Sequence, residues 1–217
     1  AINTALTNKN NTVQYLSLPY VSDQDEHEAL QQAVEDMRNG QVDTVVTIGS
    51  NPVFTAPADL NVAEAITNVD TSINLSEFVN ETARLSNWHV NRAHFLESWS
   101  DGYSFTGSRS VIQPLIRPLY DGKNELEFLA AIVHGKDEKA YDLVQNHWKT
   151  LGFDDFRASW RTILHEGVGT GNHFDVYDGT ISASFSNSIT EKLNKDSDTS
   201  SIELVFRPDS GILDGRF

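Results

Sequence analysis

The tetrapeptide Gly49-Ser50-Asn51-Pro52 follows the β-branched run Val42-Asp43-Thr44-Val45-Val46-Thr47-Ile48 and precedes a helix-forming stretch. Open parallel sheets gather ligands at the carboxyl ends of their strands, where the N–H groups of a small-residue turn can face an anion. The same four residues also suit a plain strand-to-helix turn in which Asn51 bonds its own backbone. One strand later, Asn80-Glu81-Thr82 opens another helix and offers either a ligand contact or an ordinary cap. Gly49, Ser50, Asn51, Pro52, Glu81 and Thr82 are therefore the candidate binding residues. Charge limits what they could hold. From Val42 to Glu81 the chain carries no basic residue but several acids, among them Asp43, Asp59, Glu64, Asp70 and Glu81, so Arg84, Arg92 and Arg109 are the compensating cations within reach.

Other constellations offer less. Gly167-Val168-Gly169-Thr170-Gly171 has the composition of a phosphate loop, yet it follows a helix and leads into polar chain instead of joining strand to helix. His89, His94 and Glu97 could converge on a metal but lack helical ligand spacing, and histidines satisfied by solvent or core are the plainer reading. There is no Gly-x-Ser-x-Gly elbow, His-Glu-x-x-His pair or P-loop. Cysteine is absent, which excludes disulfides, thiolate metal sites, Cys-ligated clusters and thiol nucleophiles within these 217 residues. Three glycosylation sequons begin at Asn10, Asn74 and Asn80.

The elements that would position these residues follow from periodicity. Val13 to Leu18 alternates like a short strand. Ser22 can cap a helix carrying Asp23, Asp25 and Glu26 in its first turn, with Leu30, Ala33, Val34 and Met37 on one face and a stop at Gly40. Val42–Ile48 and Thr71–Leu75 read as buried strands. Between them a helix is predicted with Pro57 at its first position and Leu60, Ala63 and Ile66 inward, so the strands must be parallel in a right-handed crossover. A short helix over Glu81–Leu85 and a strand at Trp88–Val90 follow. Gly102 to Tyr120 loses its period around Pro114 and Pro118 and is expected to be an extended surface segment. Helices are predicted over 124–134, 137–151 and 154–164. Gly167 to Ser201 reads as a polar loop broken by a possible edge strand at Ile181–Phe185, and Ser201–Phe206 as a closing strand. The fold class is α/β, Rossmann-like: a mainly parallel sheet flanked by helices, plus a helical extension and a polar loop region. Residues 1–135 form the Rossmann-like part, and residues 136–217 the extension, loop and closing strand of the same domain.

Charge and hydropathy narrow the partners. Sixteen Lys and Arg against 31 Asp and Glu give a net charge of -15, which disfavours nucleic acid and anionic lipid surfaces. Aromatic residues at 10%, with four Trp and eleven Phe, are enough for a packed core. No apolar run reaches the length of a spanning helix, so no direct membrane insertion is expected.

Beyond patterning, the stretch from Asp43 to Leu60, with its Gly49-Ser50-Asn51-Pro52, resembles the strand, Gly-x-Asn-Pro and helix segment of the molybdopterin oxidoreductase family. Asn80-Glu81-Thr82-Ala83-Arg84-Leu85 is similar to that family's Thr-Glu-Thr-Ala string, and His94-Phe95-Leu96-Glu97-Ser98-Trp99 with Gly102 to the segment after it. The branch most resembled is the large iron–sulfur subunit of the alternative complex III quinol oxidoreductases, on Asn51 to Asp59, His94 to Trp99 and Phe206 to Phe217.

This resemblance implies that Gly49, Ser50, Asn51 and Pro52, with Glu81 and Thr82, match positions that contact the guanosine dinucleotide end of a pterin cofactor. In the complex III branch they would be vestigial, because that branch keeps the fold and has lost the pterin. It also implies iron–sulfur clusters elsewhere in the parent, whose cysteines are not in this chain. The expected setting is the periplasmic side of the bacterial inner membrane, after export by a twin-arginine signal. The expected partners are other domains of the same subunit and other subunits of a membrane-attached respiratory complex. The chain is expected to be a fragment of a larger subunit, to carry no redox centre and to catalyse nothing by itself. Two functions stay open: a structural scaffold domain, or the guanosine-dinucleotide-binding domain of a true molybdopterin-dependent oxidoreductase.

Overall fold

The chain divides into two compact units, Leu18–His173 and a smaller one made of Ala1–Ser17 with Phe174–Phe217. A computed structural model describes residues 3, 6–17, 25–169, 174–177, 190, 204, 207 and 209–211. The expected cap Ser22, the edge strand Ile181–Phe185 and, apart from Leu204, the closing strand Ser201–Phe206 lie outside the described residues. In the smaller unit, the carbonyl of Asn8 accepts the N–H groups of Asn11, Thr12 and Val13 at 3.0, 2.9 and 3.0 Å. Of the strand expected over Val13 to Leu18, the curl takes up Val13 and Leu18 lies outside the described residues. What forms instead is an isolated antiparallel bridge between Leu16 and Val176, framed by hydrogen bonds from Ser17 N–H to Asp175 O and from Tyr177 N–H to Tyr15 O.

The larger unit opens with α1 (Glu26–Arg38). Its cap is Asp25, not Ser22: the carboxylate accepts the N–H groups of His27 and Glu28 at 2.8 and 3.2 Å. Glu26 and Glu28 in the first turn and Arg38 in the last complement the helix dipole. Strands β1 (Thr44–Ile48), β2 (Thr71–Ser76) and β3 (Trp88–Asn91) then form a parallel sheet in the order β1-β2-β3. Thr44 pairs with Thr71 and Ile48 with Leu75, and Ile73 pairs with Trp88 and Ser76 with Asn91. The parallel pairing expected from the strand, helix, strand order is therefore present. The central strand is the most enclosed, with Asn74 and Leu75 fully buried.

The crossover from β1 to β2 is not one helix. It consists of α2 (Pro52–Thr55), a 3-10 turn (Ala58–Leu60) and α3 (Val62–Thr67). Pro52 rather than Pro57 takes a first helical position. Asn61 breaks the run at φ +44°, a left-handed conformation that Asn tolerates, and its amide donates to Glu64 Oε2 at 2.6 Å. Helices this short are unstable alone and need tertiary packing. It comes from a core of Val34, Met37, Leu60, Val62, Ala65, Ile66 and Val69, with Val45 and Val53 against it. Burying one such Val, Leu, Ile or Met contributes about 1.5–3 kcal/mol.

After β2 come α4 (Glu81–Leu85), β3 and a 3-10 turn (Phe95–Glu97). The segment expected to run extended from Gly102 instead begins inside a hairpin of β4 (Ser100–Tyr103) and β5 (Arg109–Ile112), antiparallel with Ser100 opposite Ile112 and Tyr103 opposite Arg109. Its loop is closed by Ser104, whose hydroxyl oxygen accepts the N–H groups of Thr106 and Ser108 and whose own N–H reaches Ser108 O. Three helices complete the unit, as expected: α5 (Glu125–His134), α6 (Ala140–Lys149) and α7 (Phe156–Glu166).

Glu127 fixes the start of two of these helices. It forms a capping box with Asn124 at α5, and its Oε1 accepts the N–H of Ala140 at 3.1 Å, which is why α6 begins at Ala140 and not at Asp137. The helices and the hairpin enclose a second core of Val111, Val144, Trp148, Trp160 and Ile163, with Trp99, Tyr141, Phe153 and Phe156 packed against it. Trp148 Nε1–H donates to Asp101 Oδ2 at 2.8 Å, so the polar edge of the buried indole is satisfied from β4.

Candidate functional site

The two candidate segments, 30 residues apart in sequence, meet at the carboxyl edge of the sheet. Gly49 leaves β1 at φ +64°, and its N–H donates to Leu75 O at 2.8 Å, extending the β1–β2 ladder by one bond. Asn51 then reaches across to α4. Its Nδ2 donates to Glu81 Oε2 at 2.7 Å, and its Oδ1 accepts both Thr82 Oγ1–H at 2.8 Å and Thr82 N–H at 3.2 Å. Thr82 is fully buried and returns the contact: its Oγ1 accepts the N–H of Val53 at 3.1 Å.

These contacts decide what the helix N-termini have left to offer. In α2, Pro52 has no N–H, Val53 N–H is taken by Thr82 Oγ1, and the N–H groups of Phe54 and Thr55 both donate to Asn51 O at 3.0 Å. In α4, Thr82 N–H is taken by Asn51, Ala83 N–H by Asn80 Oδ1 at 2.9 Å, and Arg84 N–H by Asn80 O at 3.0 Å. An anion approaching the starts of α2 and α4 would meet the Glu81 carboxylate, with the N–H groups of Val53 to Thr55 and of Thr82 to Arg84 already bonded. The amide of Asn51, followed by Glu81's own backbone N–H and then by the charge of Arg84, holds Glu81 below the usual carboxylate range, against a smaller opposing effect of desolvation. Glu81 therefore keeps its charge to lower pH than an ordinary glutamate.

Of the compensating cations, Arg92 stands at the site. A Cβ on Gly49 would lie 3.5 Å from its Cζ. Its charge is already matched: Nε donates to Glu125 Oε1 at 2.6 Å and Nη1 to Glu77 Oε1 at 3.2 Å, with Nη2 also paired to Glu125. Beside it lies a cavity of about 170 Å³ lined by Glu77, Asn91, Arg92, Glu97, Tyr120 and Gly122. Glu77 and Glu125 were not foreseen as site residues. They come from the residue after β2 and the first turn of α5, and no short motif links them to Arg92.

The remaining sequence candidates have structural roles. His94 Nδ1 accepts Leu96 N–H while Glu97 Oε2 accepts His94 N–H, a capping box for the 3-10 turn; His89 Nε2 lies 3.2 Å from Ser76 Oγ. No group of three potential metal ligands occurs among the described residues. In the glycine-rich stretch, Gly167 ends α7 at φ +76°. Gly169 packs so tightly that a Cβ there would fall 2.7 Å from the Trp148 ring. Thr170 and Gly171 lie outside the described residues. The sequon residue Asn74 is fully buried, and Asn80 is a helix cap. No described helix is long and apolar enough to cross a membrane.

No protein family matches the chain, and no curated protein is similar to it. Among solved structures it is similar to acetylene hydratase from Pelobacter acetylenicus, at 20% identity and a TM-score of 0.42. The likeness covers 48% of this chain and 15% of the length of that one.

Proposed function

From this geometry we propose that the chain is a structural scaffold module of a molybdopterin oxidoreductase-like iron–sulfur subunit, one whose dinucleotide cleft is closed by its own side chains. The sequence strings around Asn51, Glu81 and His94 support the family. The observation that carries the scaffold reading is the full engagement of Val53, Phe54, Thr55, Thr82, Ala83 and Arg84 N–H groups by Asn51, Thr82 and Asn80, with the Glu81 carboxylate at the mouth. A pyrophosphate needs donors that are not already bonded, and preferably an unpaired cation. The residues present do not fit the guanosine dinucleotide group of the pterin: the N–H groups of Val53 to Thr55 and of Thr82 to Arg84 are taken, Arg92 is neutralised by Glu77 and Glu125, and the net charge of -15 opposes the ligand.

In this reading Asn51 fastens the first turns of α2 and α4 together, and the domain supplies shape and neighbouring surfaces to the rest of a periplasm-facing, membrane-attached respiratory quinol oxidoreductase complex. Electron transfer and quinol chemistry belong to clusters and subunits outside this chain. Titrating GDP by calorimetry at low salt tests the closed cleft. The expected constant is no better than about millimolar, close to -4 kcal/mol; a micromolar constant abolished by Asn51→Ala would establish the dinucleotide-binding alternative. The setting is tested by tagging the native protein: it should leave solubilised membranes together with quinol-oxidising activity, and recovery wholly apart from that activity would refute the assignment.

A further inference from the structure

A patch of exposed apolar side chains adjoins the Arg92 cavity. The N–H groups of Leu115 and Ile116 both donate to Leu96 O, at 2.7 and 3.4 Å, and Leu119 N–H donates to Glu97 Oε1 at 3.4 Å. Residues 115–120 are thereby laid along the 3-10 turn at Phe95–Glu97, and Tyr120 also lines the cavity. Phe95, Leu115, Ile116, Leu119 and Tyr120 are between 51% and 79% exposed. A contiguous apolar patch of this kind marks a contact surface. The segment is tied at both ends: Gln113 Nε2 donates to Leu164 O at 2.7 Å before it, and Lys123 N–H to Asn91 O at 2.9 Å after it. Within it, Pro114 and Pro118 each fix a backbone angle. The apolar side chains are held outward on a restrained backbone, so a partner would order little chain in covering them.

Charge narrows what the partner is. At the cavity three carboxylates, Glu77, Glu97 and Glu125, stand with one guanidinium, Arg92, which leaves a surplus of two negative charges. Glu97 is met by the backbone N–H groups of His94 and Leu119 and by no cation among the described residues. In the middle of the apolar segment Arg117 is exposed, and it makes no hydrogen bond or ion pair among the described residues. A covering surface must be apolar and bring a cation to the cavity, and this same face has that chemistry. We propose that it is a two-fold interface between two copies of this chain, in which Arg117 of each copy enters the other's cavity beside Glu77 and Glu97 while Leu115, Ile116 and Leu119 close against their counterparts. A two-fold contact places one patch on both copies, so the patch must complement itself. A free cation next to surplus carboxylate does so, and the guanidinium fork can bond carboxylate oxygens in pairs. The net charge of -15 on each copy opposes the approach, but exposed charges separated by more than about 8 Å are largely screened at physiological salt, and a pair enclosed by an interface is screened much less.

Sedimentation velocity on the full chain, from about 1 to 500 µM at about 0.15 M salt, is the test. The mass should rise reversibly with concentration from 24.2 kDa to twice that, with a dissociation constant of about 10–100 µM. Leu119→Asp and Arg117→Glu should each weaken the dimer at least about tenfold. Phe105→Asp, which changes an apolar residue 90% exposed on the hairpin loop and outside the patch, should leave it unchanged. All three side chains are exposed, so the melting temperature of the dilute, monomeric variants should match that of the dilute parent chain, which separates loss of contact from loss of fold. A chain that stays monomeric up to about 500 µM overturns the proposal. So does a dimer untouched by Arg117→Glu, or one weakened as much by Phe105→Asp as by Leu119→Asp. If the monomeric chain instead binds the peptide acetyl-Leu-Arg-Leu-Leu-amide and Leu119→Asp abolishes that binding, the occupant is a segment of another protein and the second copy is ruled out.

Discussion

Asn51→Ala separates a clasp from a cradle. The substitution removes the acceptor of two donors on Thr82, a residue with no exposed surface, and the tie to Glu81. A buried donor left without an acceptor costs about 1–3 kcal/mol. Asn51 itself is only half-buried, so water can follow the truncation and each loss should fall near the low end. The Glu81 contact is left out of the sum because that carboxylate is open to solvent. The expected destabilisation is thus about 2–3 kcal/mol, a fall in Tm of roughly 5–10 °C for a chain of this size. Urea denaturation followed by fluorescence, with calorimetric melting alongside, measures it, and the urea slope should not change. In a double-mutant cycle with Thr82→Val, the coupling should be about 1–2 kcal/mol. A loss below about 0.5 kcal/mol, or additive single effects, would refute the clasp. A rise in stability would go further, since residues held for ligand binding often stabilise a fold when removed.

Other consequences can be checked in the same preparations. Glu81 has a lowered pKa in the fold, so it adds stability above the pKa it has in the unfolded chain and loses it as pH falls through the folded value; 13C titration should place it below an ordinary glutamate, and Asn51→Ala should move it back up. Gly122→Ala should cost about 2 kcal/mol or more, because the new Cβ would sit 2.9 Å from the Ala93 backbone nitrogen, which is held by its bond to Lys123 O. Gly49→Ala should cost only about 1 kcal/mol, the strain of φ +64°, because the nearest atom is 3.5 Å away on a flexible arginine. Asp101→Ala should cost about 1–3 kcal/mol by stranding Trp148 Nε1–H in the core. Chemical denaturation of each variant measures these differences.

The parts of the fold legible in the sequence are those where burial and local propensity agree. Val45, Val46 and Ile48 in one strand and Ile73 and Leu75 in the next are β-branched or aliphatic runs closed by Gly49 and Ser76, and α1 carries its apolar stripe, Leu30, Ala33, Val34 and Met37, over about two turns. Helix breaks set by a single backbone angle were harder to read. Nothing in Ala58 to Thr67 shows that Asn61 turns left-handed, so one helix was expected where a turn and a short helix stand. The hairpin was hidden because Ser100-Asp101-Gly102-Tyr103 has no apolar alternation; it is held by its pairing and by Ser104. At the candidate site, the residue types at Asn51 and Thr82 were visible, as was the chance that Asn51 bonds locally. That Asn51 bonds to α4, and that Glu77 and Glu125 neutralise Arg92, are properties of the sheet edge and appear only when β1, β2 and α5 are brought together.

The distribution of tryptophan gives the molecule a built-in optical reporter. Trp148 and Trp160 lie in the second core with their ring centroids 5.9 Å apart, and Trp99 packs beside them, whereas Trp88 on β3 is 66% exposed. Emission from the intact chain should therefore be a sum of two colours, a blue component from the indoles enclosed by the helices and the hairpin and a red one from the sheet. Replacing Trp88 with Phe would silence the red component without disturbing a packed contact. The remaining signal would then follow loosening of the helical part alone, while amide exchange at Thr82 follows the sheet edge, so that one unlabelled sample reveals whether the two cores of the larger unit come apart together or in turn.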